Sequence, residues 1–211
     1  MEQQALRLQM NPHFIFNSLN SIQSFVIEND TDKAINYLAK FSQLMRLILS
    51  SSREIFVPLE DEIKSLSYYL EIERLRFDSK FDYIIYVEEN IDKEFTEIPP
   101  MVIQPYVENA IIHGLLNKKD KGFLSIGFYV ENDYLKCIVT DNGVGRDKAM
   151  ELKQKSGLQR KSRGMLITQQ RLEMLNKQTK QQLSVKIEDL FDENNFASGT
   201  RVILYMPFIE E

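Results

Sequence analysis

The chain has 211 residues, with 26 basic and 31 acidic side chains and a net charge of −5. That balance argues against nucleic acid or an anionic membrane surface as the main partner. One cysteine, Cys137, rules out an internal disulfide and suits a reducing compartment. Hydrophobic residues make up 43% of the chain, enough for a real core. No run approaches the ~18 consecutive apolar residues of a membrane span, and no signal-peptide pattern is found.

The first predicted element runs from Leu8 to Ile22 and onward to Val26, LQMNPHFIFNSLNSI at its start. At about 100° per residue, Leu8, Ile15, Leu19, Ile22 and Val26 make one apolar stripe. His13 falls on the other side, with Asn17, Asn20 and Ser24. Pro12 removes a backbone donor and predicts a bend there. Because a functional-looking helix stands so near the start, the expectation is a piece of a longer protein. Asn29-Asp30-Thr31 is a turn and N-cap. A second helix follows, with Ala34, Leu38, Phe41, Met45 and Ile48 at near-heptad spacing. Two such helices form an antiparallel hairpin that cannot bury both stripes alone, so two copies are expected to pair as a four-helix bundle. Ser50 to Phe56 is a polar break. A third helix begins near Leu59, with Glu60, Asp61 and Glu62 in its first turn, where negative charge is favoured. Its predicted apolar face is Ile63, Leu66, Leu70 and Phe77.

Near Asp78 the texture changes. Tyr83–Val87 reads as a strand, and Pro99-Pro100 introduces a helix from Met101 to Leu116. Leu124–Val130 and Leu135–Thr140 read as a hairpin around Asn132-Asp133. Asp141–Gly145, DNGVG, is a loop. Residues 146–163 are charged and aperiodic, which predicts a mobile stretch. Gly164–Lys177 returns to helix, and Leu183–Ile187 and Thr200–Met206 close as strands. The order predicts an α+β fold, with helices on one face of a mixed sheet.

Three short strings carry chemistry. In QPYVENAIIHG, Gln104–Gly114, Asn109 and His113 lie one helical turn apart, and a carboxamide oxygen is a hard ligand suited to a Mg²⁺ that bridges phosphates. In DNGVG, Asp141 can accept from an exocyclic amine, while the glycines let backbone come close to a flat ligand. Gly164 opens a helix whose free amides can hold phosphate, and Gly199-Thr200 opens the last strand. Each string alone also fits an ordinary polar helix face, Asn-Gly turn or helix cap.

Together, and in this order, they resemble the cytoplasmic part of LytS-type sensor histidine kinases, bacterial two-component proteins with a GHKL-type ATP-binding domain. LQMNPHFIFNSLNSI is similar to that family's phosphoacceptor box and LEDEIKSLSYYLEIERLRF to its linker helix. QPYVENAIIHG resembles the N box, DNGVG the G1 box, RGMLITQQRLEMLN the G2 region and GTRV the last G box. The resemblance implies a dimerising helical region at 1–77 that carries the phosphoacceptor histidine, and a GHKL-type α/β sandwich at 78–211 that binds ATP. It implies that His13 accepts the γ-phosphoryl group from ATP and passes it to an aspartate of a response regulator. Asn109 would hold Mg²⁺, with His113 beside the phosphates. Asp141 would read the adenine amino group, with Gly143 and Gly145 letting the nucleotide approach. Residues 146–163 would form a lid, Gly164 would lie near the phosphates, and Thr200 would support the adenine side. Asn17 matches a position that orients a water for dephosphorylating the partner. The protein would be a homodimer in the bacterial cytoplasm, tied to the inner membrane only through a segment outside this chain.

The sequence departs from related kinases in three places. Phe14 stands where many carry an acidic residue directly after the histidine, so Glu108 is the candidate base. Ser162 and Ile167 replace a glycine and an asparagine of the G2 region. Two alternatives remain: a GHKL-type ATPase, which needs a glutamate where this chain has Pro105, and a non-catalytic nucleotide-sensing dimerisation module.

Overall fold

The computed structural model describes residues 12–155 and 183–210. Leu8, Gly164, Ser162, Ile167, the helix expected over 164–177 and the second half of the expected lid lie outside the described residues.

Helix α1 (Pro12–Ile27) and helix α2 (Thr31–Ser51) form the expected hairpin. Asn29 takes φ +58, and the Asp30 side chain accepts from the Lys33 amide at 3.1 Å, so the turn and N-cap sit where the sequence puts them. The buried faces differ from the expected ones. On α1, Phe14, Ser18 and Phe25 are buried, while Leu19 and Val26 are half-exposed or more. On α2, Ala34, Tyr37, Leu44 and Ile48 are buried and Leu38 is half-exposed. Each helix therefore carries two apolar stripes, and within the chain the aromatic-bearing one is covered. Phe14 packs on Phe41 and Tyr69, with ring centroids 6.2 and 5.3 Å apart, and Phe25 packs on Tyr37 at 5.8 Å. Large rings bury more area than the Leu and Val of the other stripe, so this side is favoured when only one can be covered.

A two-residue strand, β1 (Val57–Pro58), leads into helix α3 (Leu59–Arg76). The expected start holds. The expected face holds too, with Leu66 and Leu70 buried and Ile63 and Phe77 packed against the core, and the covered surface extends beyond it to Leu59, Glu62, Ser65, Tyr69, Ile72 and Glu73. The hairpin lies on one side of this helix and the sheet core on another, which widens the covered surface.

Strand β2 (Phe81–Val87), strand β4 (Gly122–Glu131), strand β5 (Tyr134–Asp141), strand β6 (Ser184–Phe191) and strand β7 (Ala197–Met206) make one sheet in the order β2-β4-β5-β7-β6. The β2–β4 pair is parallel and the others are antiparallel, so the sheet is mixed as expected. Asn132, at φ +56, turns the β4–β5 hairpin. The register aligns Ile126 with Val139 and Phe128 with Cys137, and then Cys137 with Leu204. These residues share one buried face, and α3 and the helical segment that starts at Gln104 belong to the same core. The thiol of Cys137 is fully buried there, as a core residue. Strand β3 (Thr96–Ile98) pairs with β1 and with β8 (Ile209–Glu210) in a small second sheet.

After the DNGVG loop comes helix α5 (Arg146–Lys155), where the sequence predicted an aperiodic stretch. Arg146 grips Asp189 of β6 through Nε and an Nη, both at 2.6 Å, and Asp147 stands in the first turn. A fixed start and a favourable terminal charge let a charged segment wind into helix without a strong apolar stripe.

Candidate functional site

The helix expected over Met101–Leu116 begins later and changes gauge. Met101 takes φ +58, so regular winding starts at α4 (Gln104–Asn109), with Pro105 in the first turn. The chain then widens into one π-type turn, Ala110–Gly114, and tightens into a 3₁₀ turn, Leu115–Asn117. Such widened turns cluster at functional sites. Tyr106, Val107, Ala110, Ile111 and Leu115 anchor this segment in the core. Glu108, Asn109 and His113 stay partly open to solvent. The Asn117 carboxamide donates to the carbonyls of Ile112 at 3.2 Å and His113 at 2.9 Å, which satisfies acceptors that the widened turn leaves over.

Gly114, the last residue of that turn, meets Asp141 at the end of β5. Asp141 is 4% exposed, and burial pushes its carboxyl up to about 6, against the pull of hydrogen bonds from the backbone amides of Gly143 and Thr200. The Gly143 amide lies 2.8 Å from Oδ1. Among the described residues no cation is paired with this carboxyl. A buried carboxylate held by two amides and no counter-charge is suited to accept a further N–H from a bound molecule.

The glycines here have protein reasons of their own. A Cβ on Gly143 would stand 2.5 Å from the backbone of Gly114, and one on Gly114 would stand 2.7 Å from Asp141 Oδ1. Gly145 takes φ +77, with its missing Cβ directed at Ala197. A Cβ on Gly199, at φ +143, would overlap the Asp141 carbonyl. Asn142 ties the loop back to β4, since its Oδ1 accepts from the Phe123 amide at 2.8 Å. So Asp141, Gly143, Gly145 and Thr200 come together, beside the turn that holds His113 and follows Asn109. Gly114, Gly199 and Asn142 belong to the same construction; of these the sequence singled out Gly199, as the opening of the last strand, and gave Gly114 and Asn142 no role of their own. A glycine at a helix end reads as a cap, which hides a close approach to another strand.

The remaining candidates lie on the side of the helices. His13 is in the first turn of α1, and Asn17 follows one turn later, half-exposed. Glu108 accepts from Gln104 Nε2 at 3.2 Å, and its charge, after burial, helps push the buried Tyr69 hydroxyl well up. Tyr69 is the residue on which Phe14 packs. The described residues hold no cluster of three or more His, Cys, Asp or Glu that could cage a metal ion. The half-exposed Asn109 fits a Mg²⁺ that takes one protein oxygen and keeps its other ligands from water and phosphate.

Residues 1–81 match the family model described as histidine kinase. The chain is 37% identical over 145 residues to the sensor protein LytS of Oceanobacillus iheyensis, covering 69% of this chain and 24% of that one. It is 36% identical over 146 residues to LytS of Bacillus subtilis, covering 68% and 24%. Against the sensor histidine kinase BtsS of Escherichia coli it is 36% identical over 141 residues, covering 67% and 24%. The chain thus spans about a quarter of the length of the curated relatives it matches. A solved structure described as a bacterial phosphotransferase aligns over 96% of this chain and 95% of its own, with a TM-score of 0.53 at 13% identity, which bears on the fold alone. It fits the mixed α+β, GHKL-type arrangement with N-terminal helices. The first 81 residues thus match the histidine kinase family, and the chain is similar over about two thirds of its length to LytS sensor proteins.

Proposed function

We propose that this chain is the kinase core of a two-component sensor, in which residues 1–77 carry the phosphoacceptor and residues 78–211 bind ATP. The observation that carries this is Asp141, a buried carboxyl without a cation, packed against the end of the helix bearing Asn109. Asp141 accepts from the adenine amino group. Asn109 would offer its carboxamide oxygen to Mg²⁺, which when bound neutralises phosphate charge, and His113 lies toward the phosphates; for Gly164, outside the described residues, that role rests on the family resemblance alone. Gly143 and Gly145 shape the wall that the base approaches, and Thr200 holds Asp141 in place through its amide.

His13 attacks the γ-phosphorus through a ring nitrogen. An N–P bond forms, the bond to the bridging oxygen breaks, and ADP leaves. Glu108 accepts the imidazole proton in this scheme. Support comes from its link through Tyr69 to Phe14, the neighbour of His13. Positioning and charge neutralisation supply most of the rate, as in phosphoryl transfer generally. The phosphoryl group then passes to an aspartate of a response regulator, and Asn17 orients water when that partner is dephosphorylated. Two copies pair through the stripes left open on α1 and α2, where Leu19, Val26, Ile35, Leu38 and Leu49 are exposed. A membrane segment outside this chain holds the intact protein in the cytoplasm beside the inner membrane.

Incubation with γ-labelled ATP and Mg²⁺ tests the reading. Protein-bound label that is acid-labile, base-stable and absent in His13→Ala is the expected result. Free phosphate without labelled protein would mean an ATPase, and neither product would leave a nucleotide-sensing module. Glu108→Gln is expected to label at least 100-fold more slowly, the scale of a lost general base. Normal labelling of that variant would exclude Glu108 as the base.

A further inference from the structure

Glu62 is one of three acidic residues in the first turn of α3, where negative charge is favoured. It is 3% exposed, enclosed between α3 and the sheet, with its negative charge felt at the buried Cys137 thiol. Its Oε2 accepts from the backbone amide of Met101 at 2.9 Å, across 39 residues of sequence. Met101 follows Pro99-Pro100 and holds the left-handed φ of +58, a conformation that costs a side-chain-bearing residue and persists only where something holds it. Val102 and Ile103, both buried, come next, and α4 starts at Gln104. The Met101 turn therefore sets where α4 begins, and with it where Asn109 stands and where Gly114 meets Asp141.

We infer that Glu62 is a positioning residue for nucleotide binding, a carboxylate on α3 that holds the Met101 turn and so places the helix bearing Asn109. It touches no reacting atom. Because α3 also packs on the α1–α2 hairpin, the same contact gives a shift of the helices a direct mechanical route to the nucleotide site. The inference rests on the nucleotide-binding reading above. The physical reason for a carboxylate at this place is twofold. An amide turned out of the regular ladders and partly buried must find an acceptor, and a charged acceptor binds it more strongly than a neutral one.

The test is titration of the 211-residue chain with a fluorescent ATP analogue and Mg²⁺, beside thermal unfolding and amide exchange over residues 101–109. Glu62→Ala is expected to weaken analogue binding by about tenfold, the scale of one lost hydrogen bond to a charged group, and to speed exchange at Met101 and in α4. Glu62→Gln keeps a carbonyl acceptor and is expected to recover most of the affinity. Met101→Gly adopts φ +58 without strain, so in the Glu62→Ala background it is expected to restore binding in part. A merely structural defect at Glu62 would lower the melting temperature in every background and would not respond to a glycine at 101. Unchanged affinity in Glu62→Ala, or no rescue by Met101→Gly, overturns the inference. Should Glu62→Ala fail to fold, Glu62→Gln and Met101→Gly decide: Glu62→Gln at wild-type affinity with tighter binding in Met101→Gly upholds it, and a tenfold loss in both overturns it. Absence of binding in the unaltered chain would instead sink the nucleotide reading itself.

Discussion

Asp141 costs stability in the fold, and the proposed scheme puts its charge to use. Its folded carboxyl ionises near pH 6 rather than 3.8, because burial outweighs the two amides that favour the anion. The folded state thus binds the proton more tightly than the unfolded one. The stability contributed by this group is complete below pH 3.8 and lost as pH rises through about 6, a difference of about 3 kcal/mol. Asp141→Asn keeps an acceptor for Gly143 and removes the charge. At pH 7.5 it is expected to melt about 5 °C higher than the parent chain, and at pH 3.5 at nearly the same temperature. Nucleotide binding, which in the proposed scheme uses the anion, is expected to fall at least tenfold in the variant, and in the parent chain to weaken as pH drops below 6. Equal melting temperatures at pH 7.5 would show that the buried charge is compensated. The sequence identified Asp141 through DNGVG. It could not disclose that Thr200 matters through its amide, since that depends on the β5–β7 register that sets Asp141 opposite Thr200.

At the scale of elements, two glycines separate a rigid contact from an adaptable one. Gly143→Ala drives a Cβ to 2.5 Å from the Gly114 backbone, which cannot move without pulling α4 and its widened turn. Gly127→Ala meets the end of the Tyr129 ring at 2.7 Å, on the outer face of the sheet, where that ring can swing away from Tyr86. Chemical denaturation is expected to show a loss of about 2 kcal/mol for the first, typical of overpacking, and under about 1 kcal/mol for the second. Similar losses would mean that the Gly114–Gly143 contact relaxes as freely as a side chain. Other elements were legible to different degrees. The N-cap at Asp30, the start of α3 and the β4–β5 hairpin follow from local residues. Helix α5 and the delayed start of α4 do not. The first depends on Arg146 reaching Asp189, and the second on a left-handed Met101, and both contacts join residues far apart in sequence.

At the scale of the whole molecule, α3 joins the hairpin to the sheet core, and the hairpin keeps apolar stripes open on its far side. If those stripes pair two copies, Leu19→Glu with Leu38→Glu places charges in the interface and leaves the chain's own packing intact, because both side chains are half-exposed. Sedimentation is expected to change from dimer to monomer, with unaltered helix content by circular dichroism. Labelling by ATP would fall with the dimer if transfer runs between copies. A parent chain that sediments as a monomer at micromolar concentration would remove this interface from the proposal.

By itself the sequence determined the helical hairpin, the start of α3, the mixed sheet and the strings that converge on Asp141. Periodicity, turn residues and glycine spacing are local, and they act before the chain closes. Tertiary structure alone decided which of two apolar stripes on α1 and α2 is covered, that Glu62 is buried rather than solvated, and that Gly143 packs on Gly114. In each case the choice turns on which distant surface arrives to take up the contact. A helix carrying Phe14 and Phe25 on one stripe and Leu19 and Val26 on the next has no local means of preferring either, until Tyr69 and Tyr37 supply partners for the rings.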